Sequence, residues 1–131
     1  MIVQRIATLR AAIQAEPVED GTSHPGERVI AETMAGNEAE GFVAAVLEVR
    51  PSSLQASILR LVGRVPLRDP SLRRRIVSAG LCSADVQIRD AAVQAVESWE
   101  DADCIDLLRE HEEAVQWLAD YIQEVITDLE G

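Results

Sequence analysis

The chain has 131 residues, 47% of them apolar but only 3% aromatic, and carries 23 acids against twelve basic residues for a net charge of −11. That length is one domain's worth and buries roughly two-thirds of its unfolded surface, so neither a metal nor a disulfide is needed for stability. No run approaches the ~18 uninterrupted apolar residues of a membrane span.

The core must be built from Ala, Val, Ile and Leu. The opening Met1-Ile-Val-Gln-Arg-Ile lacks the basic region and apolar block of a signal peptide, and cytoplasm is the expected compartment. Cys82 and Cys104 read as small core residues rather than a redox pair. All twelve basic residues are Arg.

Taken in order, residues 1–16 place Ile2, Ile6, Leu9 and Ile13 at helical steps of four, three and four. Residues 17–26, PVEDGTSHPG, form a loop. A short helix over Glu27 to Ala35 ends at Gly36. Asn37 is the expected cap of the next, which carries Phe42, Val43, Val46 and Leu47 to about Val49, where Arg50-Pro51 breaks it.

Ser52 or Ser53 is the expected cap for a helix with Leu54, Ile58, Leu61, Val62 and Val65, stopped by Pro66. Asp69-Pro70 is an N-cap followed by Pro at the first helical position; Leu72, Ile76 and Ala79 then form a stripe up to Gly80. Ser83 or Asp85 caps a long helix with the stripe Ile88, Ala92, Ala95 and Trp99. Asp101 caps a shorter one with Ile105 and Leu108. A final helix from about Ala114 carries Trp117, Leu118, Tyr121, Ile122, Val125, Ile126 and Leu129. Strand alternation is absent. The chain is predicted to be a single all-α domain over 1–131, with about seven or eight helices.

The helices resemble one another. A shift of thirty-four lays Leu54, Ile58, Leu59, Val62 and Val65 on Ile88, Ala92, Val93, Val96 and Trp99. A shift of twenty-nine lays Val86-Gln87-Ile88 on Val115-Gln116-Trp117. A period near thirty points to a helical solenoid. The run Asp85-x-x-Ile88-Arg89-x-x-Ala92-x-x-Ala95-Val96, followed by Trp99, Asp101 and Ile105-x-x-Leu108, resembles a bacterial HEAT repeat, and residues 52–82 form a weaker copy that has Gln55 where the family has Arg. The resemblance implies a short right-handed α-solenoid of antiparallel helix pairs over 27–131, closed by the last helix as a cap. It implies a scaffold that presents a surface, and no reaction. Small Ala92 and Ala95 should let neighbouring helices approach closely, Asp85 should cap, and Arg89 should lie across the adjacent turn. The apolar half of the last helix is also a candidate homodimer face.

Charge is segregated. Residues 1–49 hold eight acids against three Arg, residues 50–82 one acid against seven, and residues 83–131 fourteen against two. The basic band is Arg50, Arg60, Arg64, Arg68, Arg73, Arg74 and Arg75. Within it Arg73, Arg74 and Arg75 are candidate contacts for a carboxylate- or phosphate-rich partner. Asp103, Asp106, Glu110 and Glu113 step by three, four and three, which puts them on one face, opposite Ile105 and Leu108, and makes that face a candidate docking surface for a basic protein.

No chemistry accompanies these charges. His111 lacks the second His of a zinc helix, His24 sits in the long loop, and there is neither a Gly-rich phosphate loop nor a nucleophile elbow. No enzyme activity, cofactor or metal is expected. The expected function is protein binding, with an acidic neutraliser of immunity or antitoxin type as its sharper form. The alternatives are nucleic-acid binding through the Arg50–Arg75 band, which the surrounding acids oppose, and a structural homo-oligomer.

Overall fold

The computed structural model describes residues 2–131; Met1, first residue of the predicted 1–16 helix, lies outside them. The described residues form eight α-helices and no strand. These are α1 (Ile2–Ala15), α2 (Gly26–Ala35), α3 (Ala39–Val46), α4 (Ser52–Arg64), α5 (Pro70–Leu81), α6 (Val86–Trp99), α7 (Ile105–Glu110) and α8 (Gln116–Glu130), with a 3-10 turn at Ala102–Cys104 before α7.

Capping chemistry decides several of these boundaries. Asp69 accepts from the Ser71 N–H at 2.9 Å with Pro70 at the first helical position. Asp85 accepts from the Gln87 N–H at 2.8 Å, while its own N–H donates to Ser83 Oγ at 3.1 Å, so both predicted caps take part. Asp101 accepts from the Asp103 N–H at 3.0 Å. Each satisfies a donor that the first helical turn leaves without a partner. Elsewhere the boundaries move. Glu38 rather than Asn37 precedes α3, and α4 follows Pro51 with no side-chain cap from Ser52 or Ser53. The last helix starts at Gln116 rather than near Ala114.

Gly80 was expected to end α5, yet the helix runs on to Leu81. Packing explains why a glycine sits there. A Cβ at Gly80 would lie 2.7 Å from the Cβ of Ala92, and one at Gly63 would lie 2.7 Å from the Cα of Ala95. Helices α4 and α5 therefore both approach α6 over bare backbone, and the small residues expected to permit close approach do so.

The predicted α5 stripe is corrected at one position: Leu72 and Ile76 are buried, but Ala79 is exposed and Val77 takes its place in the core. Cys82 is exposed rather than in the core, whereas Cys104 is buried.

The core has two parts that share α6. One gathers Leu9, Ile30, Phe42, Val46, Ile58, Leu61 and Ile76 with Ile88 and Ala91 of α6. The other gathers Val77, Leu81, Leu108, Leu118, Ile122 and Val125 with Ala92, Val93 and Val96 of α6. Trp99, at the end of α6, packs against both, and its indole N–H donates to the Val65 carbonyl at 3.0 Å. Helix α6 thus buries side chains on two sides, as a wall between two cores needs to, and exposes Gln87, Glu97 and Ser98.

The Gly63–Ala95 contact gives a direct test. Alanine is favoured over glycine inside a helix by about 1 kcal/mol, so Gly63→Ala would stabilise an open site. Here it should destabilise by about 1–3 kcal/mol through overpacking, read as a lower Tm by circular dichroism. A raised Tm would mean that α4 and α6 are not in backbone contact.

Candidate partner-binding surface

Arginine's planar fork suits it to bridging segments, and most arginines of the basic band reach carboxylates far away in sequence. Arg60 lies 3.9 Å from Asp90, and Arg64 lies 3.4 Å from Glu27 while also donating to the Thr22 and Glu19 carbonyls. Arg73 donates to Asp101 at 2.6 Å, the Asp101 side chain being only 5% exposed, and also to the Leu67 carbonyl. Arg74 grips Asp106 with both Nη atoms, at 3.0 and 2.9 Å, and donates to the Asp103 carbonyl.

The predicted contact Arg73-Arg74-Arg75 is therefore divided. Arg73 and Arg74 tie α5 to the α6–α7 region, and Arg75 is exposed. Among the described residues, Arg50, Arg68 and Arg75 make no ion pair, Arg50 donating only to the neighbouring Val49 carbonyl.

The predicted acidic face is also rearranged. Asp103 lies in the 3-10 turn, Asp106 and Glu110 lie on α7, and α7 stops at Glu110. Asp103, Asp106 and Glu110 are exposed, but Asp106 is already held by Arg74. Glu113 is not on the helix, and its side chain is 3% exposed. Its Oε1 accepts from Arg89 Nε and its Oε2 from Arg89 Nη2, at 2.9 and 3.0 Å. His111 Nε2 lies 2.9 Å from Oε1, and the Val115 N–H donates to Oε2 at 3.0 Å. Constant helical spacing breaks down here because the connection from 111 to 115 is extended rather than helical.

Glu113 is thus a structural anchor. The Arg89 fork holds its carboxyl at about 2 against an ordinary 4.5, burial working against that and the His111 and Val115 contacts with it. Arg89 also donates to the Ser83 and Ala84 carbonyls at 3.0 Å, lying across the adjacent turn as expected. One guanidinium therefore joins the start of α6 to the start of α8.

The acids left without an arginine lie further along. Glu97, Glu100, Glu110, Glu112, Asp120, Glu124 and Asp128 make no ion pair among the described residues. Glu97, Asp120, Glu124 and Asp128, with Gln123 and Thr127, line an open groove of about 540 Å³ between α6 and α8. At its edge Tyr121 donates its phenol O–H to Glu97 at 2.6 Å. Burial pushes that phenol well above its ordinary range, and the Glu97 hydrogen bond and the fields of Glu97, Asp90 and Asp20 raise it further.

Trp117, predicted to fill the apolar half of the last helix, is 50% exposed; Leu118, Ile122, Val125 and Ile126 form the buried side. Periodicity counted Trp117 as core because it is apolar, but its angle on α8 lies at the edge of that face.

Two further groups have structural roles. His24, placed in the loop by sequence, is buried: its Nδ1 accepts from the Gly26 N–H at 2.9 Å, so its Nε2 carries the proton donated to the Glu16 carbonyl at 2.6 Å. It staples the 17–26 segment, and only the density of turn residues around it hinted at an ordered loop. Cys104 donates its thiol to Asp101 at 3.4 Å, and burial, helped by Asp101, pushes that thiol up to about 12. A thiol so held is a poor nucleophile. No group of three or more His, Cys, Asp or Glu among the described residues is arranged to hold a metal ion. No helix of the described residues is long and apolar enough to cross a membrane. The chain matches no family model, no curated protein and no solved structure.

The anchoring of Glu113 has a pH signature. A carboxyl held below its unfolded value contributes stability that is complete above the unfolded value and is lost as pH falls through the folded one. The loss should fall between pH 4.5 and about 2. Asp106, lowered by the Arg74 hydrogen bond, acts in the same direction. Glu113→Gln should lower Tm at pH 6 and flatten its decline in acid. Parallel acid limbs for the two proteins would show that Glu113 is not the anchor.

Proposed function

We propose that this chain is a non-enzymatic protein-binding module for a partner with a basic surface, and that its sharper form is a neutraliser of immunity or antitoxin type. One observation carries the reading: internal bridges engage Arg60, Arg64, Arg73 and Arg74 of the arginine band, whereas Glu97, Glu100, Glu110, Glu112, Asp120, Glu124 and Asp128 are exposed and make no ion pair among the described residues. A surface of one sign raises the rate at which an opposite partner arrives. The same bridging weighs against nucleic acid as the partner, because few arginines remain to neutralise phosphates.

Within this reading the frame is a HEAT-like repeat pair over residues 52–110, with α8 as its cap. Three features support that frame. Helices α4 and α6, which correspond under the thirty-four-residue shift, pack together through Gly63 and Ala95. Asp69, Asp85 and Asp101 each cap a helical turn. Arg89 crosses the turn before its own helix. The sequence-derived contact residues Asp103 and Glu110 are exposed and remain candidates, as does Arg75. Asp106, Arg73, Arg74 and Glu113 serve the fold first.

The test is kinetic. A basic partner recovered by pulldown should associate at a rate that falls steeply with ionic strength, since the field is screened over about 8 Å at physiological salt. Neutralising Glu97, Asp120, Glu124 and Asp128 together should flatten that dependence and leave dissociation nearly unchanged. A rate indifferent to salt, or a recovered partner that is acidic, would sink the proposal.

A further inference from the structure

Helix α8 presents an outer edge that is exposed at Trp117, Glu124 and Asp128 and meets α6 at Tyr121. Trp117, Tyr121, Glu124 and Asp128 recur at steps of four, three and four and so share that edge. Trp117 stands half-exposed at its head, and Tyr121 is partly buried with its hydroxyl on Glu97. Glu97, Glu124 and Asp128 line the groove beyond, together with Asp120, and no arginine lines it. Two aromatics followed by carboxylates along one helical edge form an apolar anchor beside a row of acceptors. Besides Trp117, only Val3 is a strongly exposed large apolar side chain among the described residues.

We infer that this edge of α8, with Glu97 of α6 facing it, is the docking surface for a basic protein segment that sets an apolar or cationic side chain on Trp117 and arginines or lysines against Glu97, Glu124 and Asp128. The inference rests on the basic-partner reading above and names the place where it acts.

Charge complementarity selects the occupant. A guanidinium can stack on the Trp117 face and can meet a carboxylate with two parallel hydrogen bonds, the geometry the chain itself uses between Arg74 and Asp106. A phosphate-bearing ligand would meet only like charge. A half-exposed Trp is also the residue type that dominates interface energetics when a partner covers it.

The experiment uses the whole chain, labelled with nitrogen-15. The probe is a synthetic amphipathic helix with arginine on one face and leucine on the other, and a scrambled peptide of the same composition is the control. The chain has two indole N–H groups, and that of Trp99 is engaged by Val65. On titration the Trp117 indole signal and the amides of α8 should move while the Trp99 indole stays in place. Trp117→Ala removes a half-exposed side chain and should keep the fold. It should weaken binding of the amphipathic peptide about tenfold or more. The triple variant E97Q/E124Q/D128N should do likewise.

Shifts centred on α7 and residues 110–112, with both variants binding normally, would overturn this surface and leave the basic-partner reading standing. Equal binding of the scrambled peptide with shifts spread over all the acids would overturn the surface too, reducing it to diffuse charge. Absence of binding by either peptide, together with an acidic natural partner, would overturn both.

Discussion

The clasp of Glu113 by Arg89 is the contact on which the C-terminal part of this structure depends. A carboxylate with a side chain 3% exposed is stable only if its lone pairs are met, and here two guanidinium N–H groups, a histidine nitrogen and a backbone N–H meet them. Because Arg89 lies near the start of α6 and Glu113 accepts from Val115 just before α8, the pair places α8 relative to the central helix. The outer edge of α8, Trp117 first, takes its position from that clasp together with the packing of Leu118, Ile122 and Val125 against α6.

The same logic extends through the molecule. Arginine is the sole basic side chain apart from the two histidines, and the fold uses it as a cross-link between segments. Arg64 fastens the loop before α2 to α4, Arg73 and Arg74 fasten α5 to the turn around Asp101 and to α7, and Arg89 fastens α6 to α8. With few aromatics to fill a core, the chain relies on close helix contacts at Gly63 and Gly80 and on these bridges at the margins. The outward charge is what remains once the bridges are made. The acidic excess is fixed by composition, and the bridges decide which acids carry it.

How much of this was legible in the sequence follows from the range of each interaction. Helix positions and the Asp69, Asp85 and Asp101 caps depend on neighbours within a few residues, and they were readable. The closeness of α6 to its neighbours is readable through Ala92 and Ala95, but Gly80 reads equally as a stop because punctuation and close packing call for the same residue. The pairs Arg64–Glu27, Arg73–Asp101, Arg74–Asp106 and Arg89–Glu113 join residues 24 to 37 apart, and no periodicity reports such distances. For that reason the acidic row at Asp103, Asp106, Glu110 and Glu113 looked like one free surface. Two of its members are in fact held by Arg74 and Arg89. Trp117 misled for the opposite reason: its chemistry says core, and only its angle on α8 says surface.

The central claim is that arginine bridges, not exposed contacts, determine where the charge ends up. A double-mutant cycle on Arg89→Met and Glu113→Gln, measured by chemical denaturation at neutral pH, addresses it most directly. The buried pair should show a coupling energy of about 2–3 kcal/mol, and larger than that of a parallel cycle on the exposed Arg74 and Asp106. A coupling within about 0.5 kcal/mol of zero, the range of independent sites, would mean that the clasp does not hold α8 in place, and the account built on it would fail.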